Sequence, residues 1–217
     1  MATPLASRPM GFLSDVHGNI EALDAVLEEL RKMGVADIYV AGDHLLGGDA
    51  PLEVWRRLVD LGAVCTRGPG DVALATMDPD KLEALNDDAR ERLARFVSTR
   101  DAVGELVLSQ LKKLPDAIRL PMVDGRELVM THGSPADPHT EISHDMTETE
   151  VTALVHGDPA DLFICGATHV PFDRTIDDIR VVNVGSVGES PEGRVAHFTV
   201  VTPELEAAEV LQTWVEY

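Results

Sequence analysis

Three short apolar runs, MGFLS (10–14), DIYVAGD (37–43) and AVCTRG (63–68), are separated by two stretches that read as helices. In the first of these, NIEALDAVLEELRKMG (19–34), Ile20, Leu23, Val26, Leu27 and Leu30 recur at helical spacing and Gly34 supplies a stop. The second is expected from about Pro51 to Leu61, after a Gly-rich loop, LLGGDAP. Strand, helix, strand, helix, strand is the alternation that makes parallel βαβ units. It places the polar residues that follow each apolar run at one edge of one sheet, where open α/β sheets bind ligands.

The rest of the chain changes character. Residues 80–113 are helical in composition, with Pro115 as the stop. Asp124-Gly125 puts a turn between AIRLPMV and ELVMTHG, a strong hairpin signal. A short helix, TETEVTALVHG (147–157), leads to the strand DLFICG, and IRVVNVGSVG, VAHFTVVTP and AAEVLQTWVEY then read as strands. Parallel units first and antiparallel strands later predict two sheets packed face to face with helices outside, an α/β (α+β) fold. A length of 217 residues suits one domain, taken as 10–217. Residues 1–9, MATPLASRP, have neither a basic n-region nor an apolar h-region and are expected to be a flexible N-terminus.

Composition narrows the function. No apolar stretch approaches the roughly 18 residues of a membrane span, so no membrane role is expected. Cys65 and Cys165 follow apolar runs and read as reduced core thiols of a cytoplasmic protein. With 18 basic against 38 acidic residues, the formal charge of −20 repels a polyanion, which argues against a nucleic-acid polymer as partner. A small phosphorylated molecule remains open, because a bound divalent cation inverts the local potential. A homodimer is equally open.

Five residues at strand ends could carry chemistry. Asp15 and His17 sit in SDVHGN; on an extended segment, positions i and i+2 face the same way, so both can address one cation. Asp43 ends the second strand in AGDHLLGG, while His132 ends ELVMTHGSP and His169 follows FICGAT. Each is costly to bury unpaired, and a shared metal would satisfy them all. Oxygen and nitrogen donors without thiolate suit one or two divalent transition-metal ions: manganese, iron, zinc or nickel.

SDVHGN, AGDHLLGG, THGSP, CGATHVPF and VNVGSVG, in this order and spacing, resemble the calcineurin-like metallophosphoesterases, in particular their small bacterial and archaeal phosphodiesterases. The resemblance runs from about Met10 to the C-terminal strands. It implies a four-layer αββα sandwich, two facing mixed β-sheets flanked by helices, with a dinuclear metal centre that hydrolyses phosphoesters. It further implies that Asp15, His17 and His169 hold the first metal, that Asp43 bridges, and that His132 holds the second. Asp43 and His132 thereby become the expected catalytic residues.

The same resemblance marks three departures. Gly68-Pro69-Gly70-Asp71 stands where the family usually has Gly-Asn-His-Asp or Gly-Asn-His-Glu, so an Asn ligand and a His acid become Pro69 and Gly70. In CGATH, Ala167 stands where a further second-metal His is usual. A weakened or single-metal centre is implied, and losing a general acid typically costs about 10²- to 10⁴-fold. Good leaving groups are therefore expected to be favoured. Substitutes could come from His139, Glu141, His144 or Asp145 in the loop DPHTEISHD, of which His139 and His144 are candidates for substrate binding. Arg67 reads either as a phosphate contact or as a surface ion pair, and Asp71 either as a group orienting a His or water or as a cap. Alternation is expected to turn His44 away from the metal, while Asn19, Gly185 and Ser186 read as structural.

Overall fold

The computed structural model describes residues 5–217. β1 (Met10–Leu13) is buried along its whole length and pairs in parallel with β2 (Asp37–Ala41), which pairs in parallel with β3 (Val64–Thr66). The crossovers are α1 (Ile20–Lys32) and α2 (Pro51–Leu61), as the periodicity predicts. Asn19 caps α1 by accepting from Ala22 N at 3.1 Å, and Pro51 opens α2, where its missing N–H costs nothing.

Gly68-Pro69-Gly70-Asp71, after β3, opens a helix. Gly68 caps this helix, α3 (Pro69–Thr76), with Pro69 in the first turn and Asp71 Oδ2 accepting from Gly68 N at 2.9 Å. The region expected to be helical from 80 to 113 is a 3₁₀ turn at Pro79–Lys81, a non-helical link, and α4 (Asp87–Leu111). α4 is broken at Gly104, where φ is +73°.

The second sheet is mixed, as the resemblance implies, and holds parallel pairs beside the antiparallel ones expected from the strand runs. β4 (Ala117–Pro121) and β5 (Glu127–Thr131) form the predicted hairpin, but β5 then crosses through α5 (Glu148–Val155) to a parallel partner, β6 (Leu162–Cys165). A strand that the turn signals did not reveal, β7 (Phe172–Ile176), pairs antiparallel with β8 (Ile179–Asn183). β8 lies parallel to β6. The chain then returns to the first sheet, where β9 (Val195–Thr202) runs antiparallel to β1 and β10 (Glu209–Glu216) closes the edge. The orders are β10-β9-β1-β2-β3 and β4-β5-β6-β8-β7. Of the terminus expected to be flexible, residues 1–4 lie outside the described residues, and Ala6 bridges Met122 in parallel.

Three cores define the layers. Met10, Phe12, Met130, Ile164 and Val182 pack between the sheets, with Phe12 stacked on Tyr39 at 5.0 Å between ring centroids. Leu23, Val26, Val54, Leu58 and Leu108 form the core under α1, α2 and α4, and Val151, Val155, Phe163 and Val181 the smaller one under α5. At about 1.5–3 kcal/mol per buried large side chain, these cores dominate the stability. Helix, sheet, sheet, helix is the predicted four-layer arrangement, with an outer layer much thinner over the second sheet. Among the described residues, no helix is long and apolar enough to cross a membrane.

Candidate metal centre

β1, β2, β5, β6 and β8 all point their carboxyl ends to one rim, and the loops there are stitched together by main-chain bonds. Asp15 N donates to Gly42 O (3.1 Å), His17 N to Asp43 O (3.0 Å), Gly166 N to His132 O (2.9 Å) and Gly188 N to Asp15 O (2.9 Å). Close approach is required where the sheets meet. A Cβ on Gly42, whose φ is +92°, would lie 2.6 Å from His132 Nδ1 and 2.7 Å from Gly68 N.

The side chains converge by a route the sequence did not suggest. Asp15, His17, Asp43, Ala167 and His169 all have left-handed backbones, with φ between +49° and +71°. The only other described non-glycine residue of this kind is Asp177, in the turn between β7 and β8. Each such residue costs of order 1–2 kcal/mol, and strain of this kind persists where surrounding structure over-determines it. The convergence of Asp15 and His17 thus comes from left-handed kinks, not from extended alternation.

Two triads result, Asp15–His17–His169 and Asp15–Asp43–His132. In the first, Asp15 Oδ1 lies 3.2 Å from His169 Nε2 and 3.5 Å from His17 Nε2, and the two Nε2 atoms face each other at 3.2 Å. In the second, His132 Nε2 lies 3.8 Å from Asp43 Oδ2. The member common to both is Asp15. His17 Nδ1 is 2.6 Å from Leu46 O and His132 Nδ1 is 2.7 Å from Ala41 O. These carbonyls place the proton on Nδ1 of the neutral rings and leave Nε2 free to bind.

Burial alone would push the Asp15 carboxyl up, but the adjacent imidazoles of His169 and His17 outweigh it and hold Asp15 well below the usual carboxylate range. Burial likewise opposes a charge on His17, and Asp15 overrides it, raising His17 to about 9. His169 is raised for the same reason. Asp43 goes the other way: burial raises it, the charges of Asp71 and Asp15 add, and His132 opposes. Asp15 Oδ1 is buried without a hydrogen-bond partner, and its other oxygen already accepts from Ala167 N at 3.0 Å. An unsatisfied buried carboxylate oxygen beside two imidazole nitrogens fits a divalent metal ion.

Among the departures, Gly70 N donates to Asp43 Oδ1 at 2.8 Å, so a main-chain N–H occupies one oxygen of that carboxylate. Asp71 is buried and accepts from Gly68 N (2.9 Å), Asp43 N (2.8 Å), His44 N (3.1 Å) and His44 Nδ1 (2.8 Å). It caps a helix and orients a histidine at once. His44 turns away from the triads as expected, stacking edge-on against Trp55 at 6.0 Å between ring centroids. Burial opposes its charge, but Asp71 raises its pKa well above the usual value.

The other candidates lie elsewhere. Arg67 is held by Asp116 through two bonds, Nε–Oδ1 at 2.6 Å and Nη2–Oδ2 at 3.0 Å. His139, Glu141, His144 and Asp145 are exposed, and none joins either triad. Cys165 is buried, with its thiol pushed up to about 12 first by burial and then by the charge of Asp15; Cys65 is half-buried, and both are free.

Of three supporting residues, Ser186 was read as structural, and Asn183 and Glu189 escaped the sequence reading. Asn183 Nδ2 donates to Gly166 O (2.6 Å) and Thr168 Oγ1 (2.9 Å), fixing the loop that carries His169. Ser186 Oγ donates to Asp15 O at 2.9 Å. Glu189 Oε2 lies 3.8 Å from His17 Nε2. All three fall in the VNVGSVG stretch or just after it, so its order along the chain was the available signal.

Residues 9–206 match the model of the calcineurin-like phosphoesterase superfamily domain. The chain belongs to this superfamily. It is 25% identical over 196 residues to the uncharacterized protein MJ0912 of Methanocaldococcus jannaschii, covering 83% of this chain and 76% of that protein. Among solved structures it is similar to the hypothetical protein PH1004 of Pyrococcus horikoshii, with 26% identity, a TM-score of 0.82, and 96% and 88% of the two chains covered. A metallophosphoesterase from Sphaerobacter thermophilus is 25% identical with a TM-score of 0.78, over 97% and 89% of the two chains. The superfamily's general chemistry is metal-dependent hydrolysis of phosphoesters, and membership supports a phosphoesterase function for this chain.

Proposed function

We propose that this superfamily member hydrolyses small phosphorylated molecules in the cytoplasm, with Asp15, His17 and His169 holding one divalent ion. Asp43 and His132 then hold a second only weakly. The observation that carries this reading is the buried, unpartnered Asp15 Oδ1 facing Nε2 of His17 and His169 at 3.5 and 3.2 Å. A divalent ion held there would supply activation of water and neutralisation of charge on phosphoryl oxygens. The chain's own contribution is orientation: Leu46 O and Ala41 O fix the rings of His17 and His132, and Ala167 N fixes Asp15.

No imidazole stands at position 70 to protonate a leaving group, so the favoured substrates have good ones, such as aryl phosphodiesters and phosphoanhydrides. The net charge of −20 supports a small substrate over a polyanion. The test is to strip the protein of metal, restore manganese, and compare aryl with alkyl phosphoesters. Aryl turnover exceeding alkyl turnover supports the proposal, and equal rates overturn the assignment of leaving groups.

A second reading is favoured by one observation: the loop that would serve a second metal is committed to structure, through Gly70 N on Asp43 and the buried Asp71–His44 pair. On that reading the chain keeps one ion and binds a phosphorylated ligand without hydrolysing it. One metal per chain with no turnover of any aryl ester selects it.

A further inference from the structure

The first triad supplies a divalent ion with one carboxylate and two neutral imidazoles, which leaves a net positive charge and open positions. A further carboxylate beside it is Glu189, whose Oε2 lies 3.8 Å from His17 Nε2. Donors about 2.0–2.2 Å from one ion stand about 3 Å apart when adjacent and about 4 Å apart when opposite. The separation from His17 falls within that span, while as folded Glu189 stands outside both triads. Its side chain is 44% exposed, so a rotation about its own bonds can bring it closer.

Glu189 is not placed by accident of a solvated loop. Its main-chain N–H donates to Ser186 Oγ at 2.8 Å, and the same hydroxyl donates to Asp15 O at 2.9 Å. The segment bearing the outer carboxylate is thereby tied to the residue bearing the inner one. Opposite, the chain leaves room: a Cβ on Gly47 would sit 2.6 Å from Glu189 Oε1 and 2.9 Å from His17 Cβ. Any side chain at position 47 would displace the carboxylate from the mouth of the triad. Glu192, three residues on, is 61% exposed and faces His197 instead.

We infer that Glu189 is the fourth member of the first metal site, completing Asp15, His17 and His169 as a two-carboxylate, two-histidine set. The inference rests on the reading that this triad holds an ion. Two carboxylates balance a divalent charge without Asp43 or His132, which suits a chain whose second half-site is depleted. Oxygen-rich sets of this kind suit manganese or iron better than sites that include thiolate.

Manganese titration of the metal-stripped full chain by calorimetry tests this without any assay of turnover. Glu189→Gln is expected to weaken binding of the tight ion by about 10- to 100-fold, the usual effect of removing a supporting ligand group. It should also alter the electron paramagnetic resonance spectrum at saturating manganese. Glu192→Gln removes the same charge from the same loop and is expected to change affinity by no more than about twofold, as a screened surface charge would. Equal affinities for the wild type and Glu189→Gln, or equal losses in both variants, overturn the assignment. A wild-type chain that takes up no ion overturns the triad itself, and this inference with it.

Discussion

The two triads share Asp15 but are built on opposite principles. Around His17 and His169, hydrogen bonds stop short of saturation, and Asp15 Oδ1 is left with two imidazole nitrogens and no partner. Around Asp43 and His132, the loop from β3 into α3 has been filled with internal bonds: Gly70 N satisfies Asp43 Oδ1, and Asp71 accepts four hydrogen bonds from Gly68, Asp43 and His44. One half is arranged for a ligand and the other largely for the fold. The contrast teaches that losing two side chains, at positions 69 and 70, need not leave a hole. A proline in the first helical turn and a glycine N–H make a rigid, satisfied structure out of the remaining residues.

The contrast can be broken most forcefully by rebuilding the second half. Combining Pro69→Asn, Gly70→His and Ala167→His should allow a second manganese ion per chain, measured by inductively coupled plasma mass spectrometry. It should also raise alkyl phosphoester hydrolysis by about 10²- to 10⁴-fold, the worth of a positioned general acid. A Cβ at position 70 would lie 3.1 Å from Asp43 Oδ1, so the carboxylate must shift by a few tenths of an ångström to admit it. An unchanged metal count in a folded variant would show that the main chain, not the missing side chains, limits the second site.

Next in size is the buried pair. Asp71→Ala strands a buried histidine and three main-chain N–H groups, and is expected to destabilise the protein by about 3–5 kcal/mol in urea unfolding. The wild-type pair also sets a pH dependence. His44 is raised on folding, so its contribution is complete below its unfolded pKa of about 6.5 and fades as pH rises through the folded value. Asp71 is lowered despite burial, chiefly by the His44 charge, so its contribution is complete above about 4 and fades as pH falls through the folded value. In chelator, the stability gap between wild type and Asp71→Asn should therefore be widest between about pH 4 and 6.5 and narrow on either side. A gap constant from pH 4 to 9 would refute the ion pair.

His17 sharpens the comparison from the other half. Because Asp15 raises it to about 9, the metal-free chain carries that imidazole protonated at neutral pH. Binding of manganese at pH 7 should release protons, seen as a dependence of the calorimetric heat on buffer ionisation. The smallest effect expected is at Ala167, whose φ of +71° costs an L-residue more than glycine. Ala167→Gly should stabilise the chain by about 1 kcal/mol or less, since glycine's greater unfolded entropy offsets part of the relief.

The chain's order of apolar and polar runs determined a good deal. Helices at 20–32 and 51–61 follow from spacing, Asn19 and Pro51, because local periodicity and capping are properties of adjacent residues. The five strand-end residues were legible for the same reason: each follows an apolar run directly, and the parallel alternation assigns all such positions to one rim. Less legible was β7, where FDRTI carries two charged residues and pairs as an edge strand, and the return of β9 and β10 to the first sheet, which is a long-range choice.

Other features belong only to the folded whole. That Asp15, not Asp43, is common to both triads, that Asp71 locks His44, and that Glu189 lies beside His17 though 172 positions away all depend on loops meeting across two sheets. No local pattern encodes such meetings. They are decided where the fold holds left-handed kinks at Asp15, His17, Asp43 and His169, which bring these side chains into two triads joined at Asp15.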